Sequence, residues 1–416
     1  MKDFIKNINA RVLLIIILAF LLGWQMGHRD VAVKWANFKP SISIVNKQPP
    51  SNINVDFRLF WDTWNLLYKS YLGKKDIDPN KLFYGAISGM VASLGDPYTV
   101  FLPPEQQKIT KQELGGSFDG VGIELGYNDK SLVVVAPLAG NPAEKAGIKA
   151  KDIIAKIDGK DTIGLNLPEA VQKIRGIKGT KVKLSILRPG EQQIRDFELV
   201  RDTIIVRSVE VNYQNTKSGK KVAIIKLSRF GERTNDEWQQ AVSDLISKNA
   251  QKVILDMRNN PGGFLEGAVY IGSEFLDEGD IVLQENSEGV RSSYKVNRVG
   301  RLTNMPLEIL INKGSASASE IVAGAMQDRK RAQLIGEKSF GKGTIQEVEE
   351  LDGVTGLHIT VAKWLTPNGR WVNDTQGFEP DVKIDADSKD LPASQRGEPD
   401  GQVNDKQLQK ALELFE

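Results

Sequence analysis

At 416 residues the chain is longer than one ordinary compact core and predicts two or three domains. Hydrophobic residues at 40% and charged residues at 26% are ordinary globular usage and exclude a largely disordered chain. The 55 basic and 53 acidic side chains leave a formal charge of +2, so no global field steers the chain to nucleic acid, while the absence of cysteine excludes disulfides, thiolate metal sites and cysteine nucleophiles.

Lys2, Lys6 and Arg11 precede the apolar run VLLIIILAFLL at 12–22. That run is shorter than the ~20 residues of a comfortable membrane span, so a signal-peptide core competes with a signal-anchor. No A-x-A cleavage pattern follows it. Residues 1–29 are therefore expected to be an uncleaved anchor in a bacterial cell membrane, single-pass, with the basic end inside and the rest extracytoplasmic. Residues 30–52 mix Pro, Ser and Asn without a sustained period and read as a linker. Phe57, Phe60, Trp61, Trp64, Leu67, Tyr68 and Tyr71 then recur at helical spacing, and a second helical stretch covers 79–93. An N-terminal helical region over 53–111 follows, whose two helices can pack together or against a second copy. The turn LGDPY at 94–98 ends the helical pattern.

Between residues 115 and 201 the pattern changes to short β-type runs separated by glycine turns (VGIEL, SLVVVAP, DIIAKIDG, VKLSILRPG), with a short helix over 167–175. This composition describes a small barrel-like module. From Lys221 onward buried-type strands alternate with amphipathic helices: KVAIIKL, a helix carrying Trp238, Ala241, Val242, Leu245 and Ile246, then KVILDM, a helix over 265–275, IVLQ, LEILIN, and a helix starting near Ser315. Alternation of this kind predicts an α/β core with a mostly parallel sheet. The tail after 387 is polar and closes with LQKALELF, which suits a docking helix.

Only two histidines exist, His28 and His358, so a Ser-His-Asp triad would depend on His358 alone, and HExxH zinc spacing is absent. Three other elements can carry chemistry. Ser317, in NKGSASASEIVAGAM, lies where a strand turns through Gly314 into a helix of small residues. A hydroxyl there projects above a sheet beside helix amides that favour negative charge, and an ordinary N-cap serine has the same local pattern. Lys342, in SFGKGTIQE, is flanked by two glycines that permit a sharp turn. Buried, such an amine becomes neutral and can act as a base; exposed, it is a solvated turn lysine. The loop DMRNNPGG at 256–263 offers paired glycines whose amides can face an oxyanion, with Asp256 and Arg258 able to pair and hold it, or it is a stapled turn and nothing more.

Together these pieces resemble the carboxyl-terminal processing peptidases, the tail-specific serine protease family, over nearly all of 55–410. DMRNNPGG, SASASEIVAGA and GEKSFGKGTIQ stand in the family's order and spacing. The resemblance implies an α/β protease core with a ClpP/crotonase-like sheet and helices over 202–386, an inserted PDZ domain over 112–201, and a C-terminal tail with a helix over 387–416. It implies Ser317 as nucleophile, Lys342 as base, Gln346 orienting that base, Glu320 in the site, and the amides of Ala318 and Gly263 as oxyanion donors. Ser315 and Ser319 become bystanders that cap or pack the helix.

In the PDZ-like module, the loop of Gly120, Val121, Gly122 and Ile123 matches the carboxylate-binding loop, where a chain terminus meets successive amides as the peptide adds a strand. Lys151 stands where relatives place glycine, an alteration expected to change one turn and leave peptide capture intact. Arg175 matches an arginine that favours the active state in some relatives. The implied activity is serine endopeptidase cleavage of exported, unfolded or precursor proteins with apolar C-termini, using a Ser-Lys dyad, no cofactor and no metal. Nucleic acid is not an expected partner; a homodimer is. Two other readings suit parts of the sequence: a catalytically inactive PDZ-containing binding protein, and an acyl-CoA enzyme of related architecture. The Ser317, Lys342 and Gln346 set argues against the first, and the PDZ insert against the second.

Overall fold

A computed structural model of the chain describes residues 31–36, 39–44, 55–128, 131–385 and 405–416, with isolated positions 17 and 20. Among the described residues no helix is long and apolar enough to cross a membrane. Apart from those two positions, the 12–22 run expected to form the anchor lies outside them, as does His28. The chain divides into two compact units, residues 1–82 and 83–416.

The first unit holds a hairpin of β1 (Val31–Ala36) and β2 (Lys39–Ile44), paired antiparallel from Val31↔Ile44 to Ala36↔Lys39. The hairpin falls within the expected linker. Its signal is the alternation in VAVKWA and SISI, which the neighbouring Pro, Ser and Asn obscure. Helix α1 (Arg58–Ser70) carries a ladder of rings, with Trp64 stacked on Tyr68 at 6.0 Å and Phe60 edge-on to Trp61 at 5.1 Å. None of its residues is buried, and Leu59, Trp61 and Leu66 are exposed. Helix α2 (Pro79–Ala92) begins on a proline, whose missing N–H costs nothing at a first helical turn.

The second unit continues with β3 (Val100–Leu102) and α3 (Pro104–Leu114), then a ribbon of β4 (Ser117–Gly120) that pairs with the distant β11 (Asp202–Ile205). Between the ribbon's two strands lie β5 (Ile123–Asn128), β6 (Ser131–Pro137), α4 (Pro142–Lys145), β7 (Ile153–Ile157), β8 (Lys160–Asp161), α5 (Leu167–Ile174), β9 (Lys181–Leu187) and β10 (Ile194–Val200). Their sheet runs β10-β9-β7-β6-β5 with β8 on β7, around a separate core that includes Leu132, Val134, Ile154, Leu184 and Ile186. The inserted module thus has its own hydrophobic centre. Asn166 starts α5 with a full capping box, its side chain accepting from the Glu169 amide at 2.9 Å and Glu169 reaching back to the Asn166 amide at 2.9 Å.

The remaining elements are β12 (Val209–Asn215), β13 (Lys221–Leu227), α6 (Thr234–Ser247), β14 (Lys252–Asp256), α7 (Leu265–Phe275), β15 (Asp280–Asn286), β16 (Arg291–Lys295), β17 (Leu307–Ile311), α8 (Ala318–Asp328), β18 (Gln333–Gly336), β19 (Thr344–Glu350), β20 (Gly356–Leu365), β21 (Val382–Lys383) and α9 (Lys406–Glu413). The main sheet runs β12-β13-β14-β17-β18-β21, parallel except for the β12 edge. Successive strand residues point to opposite faces. Ala223, Ile225, Val253, Leu255, Ile309 and Ile311 face the core beneath α6, α7 and α8, while Val222, Ile224, Ile254 and Leu310 meet Ala411 and Phe415 of the C-terminal segment. Burial on both faces explains why these strands are continuously apolar. A second sheet, β16-β15-β20-β19 with β3 on β20, flanks this core.

Candidate functional site

The C-terminal ends of the parallel strands carry the loops that the sequence singles out. Ser317 follows β17 and precedes α8, with φ 55° and ψ −115°, a conformation unfavourable for any residue bearing a β-carbon. The surrounding bonds over-determine it. The Ser317 amide donates to Glu320 Oε2 at 2.8 Å, the Ala316 amide to the Asn260 carbonyl at 3.0 Å, and the Phe340 amide to the Ser315 carbonyl at 3.0 Å. Ser315 Oγ donates to the Met257 carbonyl at 2.8 Å and Ser319 Oγ to the Asn260 carbonyl at 2.9 Å. These two serines therefore do more than pack the helix: they fasten the 256–263 loop to the Ser317 turn.

In that loop Asn260 Oδ1 takes the Gly262 amide at 2.9 Å, and Gly262 passes its carbonyl to the Phe230 amide at 2.9 Å. A β-carbon added at Gly262 would lie 2.8 Å from Ser317 Cβ and 2.9 Å from the Ala318 nitrogen, so only glycine permits this approach. Among the described residues the amides of Gly263 and Ala318 have no hydrogen-bond partner, whereas those of Gly262 and Ser317 are engaged. Two unengaged donors thus flank the Ser317 turn, the arrangement an oxyanion hole requires. Arg258 lies behind the loop, bound to Asp256 through Nε (2.9 Å) and Nη2 (2.7 Å), and to Asp405 through Nη1 (2.9 Å) and Nη2 (2.7 Å).

Lys342 sits in the turn before β19. Gly341 has φ 97°, and an added β-carbon at Gly343 would fall on Asn373 and the Trp371 ring, so both flanking glycines are sterically required. Trp364 Nε1 donates to the Lys342 carbonyl at 3.0 Å. Buried Glu320 links the two halves of the site: Oε1 receives Ser339 Oγ and the Gly341 amide, each at 2.6 Å, and Oε2 receives the Ser317 amide at 2.8 Å and the Lys342 amide at 2.9 Å. Burial pushes its carboxyl up, while these four donors favour the ionised form.

No hydrogen bond joins Ser317 Oγ to Lys342 Nζ. The amine lies 5.0 Å from the centroid of the Tyr98 ring. Burial lowers its pKa below the ordinary lysine value, against the pull of the Asp96 and Glu320 charges. Gln346 makes no hydrogen bond to it either. Its Nε2 donates to Thr344 Oγ1 at 2.9 Å and Thr360 Oγ1 at 3.0 Å. Asp96 and Tyr98 are neighbours of the amine that sequence reasoning did not select, although both belong to the LGDPY turn it noted.

In the inserted module Val121 is buried, its carbonyl accepting the Ala143 amide at 2.9 Å, and the Gly122 carbonyl accepts the Leu138 amide at 2.9 Å. The amides of Val121 and Gly122 have no partner among the described residues, and Gly122, at φ 74°, abuts Asn141. Gly120 ends β4 and Ile123 opens β5, the edge strand of the module's sheet. Lys151 takes φ 71°, supplying without glycine the turn expected there. Arg175 caps the end of α5, its guanidinium 4.1 Å from the centroid of Phe118 on the ribbon, and burial lowers its pKa.

A model described as peptidase family S41 matches residues 221–384, one for the PDZ domain matches 106–187, and one for the N-terminal domain of the activating protease CtpB matches 30–106. The carboxy-terminal processing protease CtpA of Bacillus subtilis is 39% identical over 344 residues, 82% of this chain and 72% of the relative. A carboxyl-terminal-processing protease of Picosynechococcus is 40% identical over 337 residues, 80% of each chain. A solved Bacteroides fragilis structure assigned to the S41 proteases shares the fold, with a TM-score of 0.56 at 17% identity, covering 89% of this chain and 99% of that one.

Proposed function

Because this chain belongs to peptidase family S41, whose relatives are carboxyl-terminal processing proteases, we propose that it cleaves exported, unfolded or precursor proteins at their tails with a Ser317–Lys342 dyad. The observation that carries the reading is the Glu320 carboxylate, which binds the main chain of both residues at once and so holds nucleophile and base turns in one frame. Neutral Lys342 removes the Ser317 proton, and the oxygen attacks the scissile carbonyl. The Ala318 and Gly263 amides hold the oxyanion. Protonated Lys342 then returns the proton to the leaving amine, and water hydrolyses the acyl-enzyme with the same lysine as base. Reaching this geometry requires the amine to swing from Tyr98 to Ser317, a tightening that apo catalytic sites often await.

The loop at Gly120–Ile123 receives the substrate's terminal carboxylate on the Val121 and Gly122 amides, and the tail adds as a strand beside β5. Arg175, resting on the ribbon that enters and leaves the module, reports its occupancy to the core. The basic, then apolar N-terminus anchors the chain in a bacterial membrane with the catalytic part outside, and the exposed apolar face of α1 pairs two copies. Carbonate extraction and sedimentation of the full chain test these last two readings; release from membranes or a monomer at all concentrations contradicts them.

The activity test uses the full chain in detergent and an unfolded protein ending in apolar residues. Cleavage should fall about a thousandfold or more in both Ser317→Ala and Lys342→Ala. Amidating the substrate's C-terminus should slow wild-type cleavage. Equal rates on free and amidated tails would sink the tail-recognition reading.

A further inference from the structure

The amide of Gln346 is turned by a hydrogen-bond relay that ends at Asp96 in the LGDPY turn. A bulge in the β19–β20 ladder, between Ile345 and Gln346, sets Gln346 opposite Thr360. Thr360 Oγ1 accepts from Gln346 Nε2 at 3.0 Å, and its side chain also bonds the Asp96 carboxylate. Thr99 Oγ1 donates to Asp96 Oδ2 at 2.7 Å and accepts the Thr360 amide at 3.0 Å, and the Tyr98 amide donates to Asp96 Oδ1 at 3.0 Å. A carboxylate only accepts, so the Thr360 hydroxyl must donate to it and present its lone pairs to Gln346. That polarity selects the nitrogen end of the Gln346 amide. With Nε2 committed to Thr344 and Thr360, Oε1 is left without a partner among the described residues and is the end able to accept from an amine.

We propose that Asp96 is a positioning residue for proton transfer: through Thr360 it fixes which way the Gln346 amide faces, so that Gln346 Oε1 receives the Lys342 amine when that amine swings toward Ser317. The inference rests on the Ser317–Lys342 reading. Asp96 also acts on Lys342 directly. Burial opposes ionisation at Asp96, but the bonds from Thr360, Thr99 and the Tyr98 amide outweigh it and keep the carboxyl below its ordinary value, so the group is an anion wherever the enzyme works. The other titratable groups facing Lys342 are Tyr98 from the same turn, Glu320 from α8 and His358 from β20. Asp96 and Glu320 are the anions among them.

The test compares kcat, KM and the pH profile of the full chain with Asp96→Asn, Thr360→Val, Thr360→Ser, Gln346→Ala and the double variant Asp96→Asn/Gln346→Ala, with Lys342→Ala as reference. Asparagine keeps the shape but can donate, which reverses the Thr360 hydroxyl. We expect kcat to fall about 10- to 100-fold in Asp96→Asn and Thr360→Val with KM unchanged, and Thr360→Ser to restore it. The double variant should be no worse than Gln346→Ala alone, because both changes break one relay. Loss of the Asp96 charge should also move the basic rise of kcat to lower pH, since the ammonium loses an anion that stabilised it. A purely structural role would lower the melting temperature and leave that limb in place. Wild-type kcat in Asp96→Asn beside an inactive Lys342→Ala, or additive losses in the double variant, overturns the proposal. An active Lys342→Ala instead overturns the dyad on which it rests.

Discussion

Glu320, fully buried, sets the geometry of the candidate site through its hydrogen bonds to the Ser317 and Lys342 turns. Its carboxylate receives four donors, two of them the main-chain amides of Ser317 and Lys342, and the chain between those residues is closed into a loop around it. Glu320→Gln keeps the volume but turns an NH2 group toward at least one N–H donor. It should cost about 2–4 kcal/mol of stability and lower kcat more than KM is raised; thermal unfolding and steady-state kinetics check this. The sequence exposed Ser317, Lys342 and the glycine pair because glycine spacing and small-residue runs are local signals. Asp96 and Tyr98 were not legible, since they reach Lys342 from a turn well over two hundred residues upstream. The partners of Gln346 were hidden for a related reason: the bulge that aims it at Thr360 depends on ladder register.

At the level of elements, apolar periodicity made the parallel core readable. KVAIIKL, KVILDM and LEILIN are buried on both faces, and α6 and α7 lie where their apolar faces predict. Helix α8 begins at Ala318, with Ser317 as its N-cap, rather than near Ser315. Of the second sheet IVLQ in β15 was read as a strand, whereas β16 and β19 are largely exposed and polar and gave no hydrophobic signal. The closing amphipathic stretch does dock as a helix: α9 lays Ala411 against the outer face of the main sheet, and Phe415 just beyond it joins the same cluster. Arg258 fastens the start of that helix, bridging Asp256 at the end of β14 to Asp405 at the N-cap of α9. Burial opposes the charge, but the two carboxylates raise the guanidinium's pKa above its ordinary value. Arg258→Ala leaves two largely buried carboxylates facing each other and should cost about 3 kcal/mol, read as a lower melting temperature and faster proteolysis of α9. An unchanged protease resistance would mean that the apolar contacts alone hold the helix.

Considered whole, the second unit separates recognition from chemistry. The inserted module has its own core and joins the rest through the β4–β11 ribbon, while the proposed catalytic loops crowd the C-terminal ends of the parallel strands. The opposite end of the sheet holds a cavity of about 620 Å³ lined by residues that include Glu308, Asp381 and Lys252. Burial pushes the Glu308 carboxyl up to about 7, against a bond from the Gln333 amide and with Asp381 adding to the rise. An acid whose folded-state value is raised contributes stability that is complete below about pH 4.5 and is lost as pH climbs toward 7. Glu308→Gln should therefore match wild type near pH 4.5 and exceed it by about 1–2 kcal/mol at pH 8. Parallel melting curves across that range would contradict the burial argument. The central claim, a neutral Lys342 amine activating Ser317, is tested most directly by single-turnover acylation with an activated peptide ester, followed by mass spectrometry. The wild-type chain should carry the acyl group on Ser317, and Lys342→Ala should acylate at least about a hundredfold more slowly. An adduct on another residue, or a wild-type acylation rate without Lys342, would contradict it.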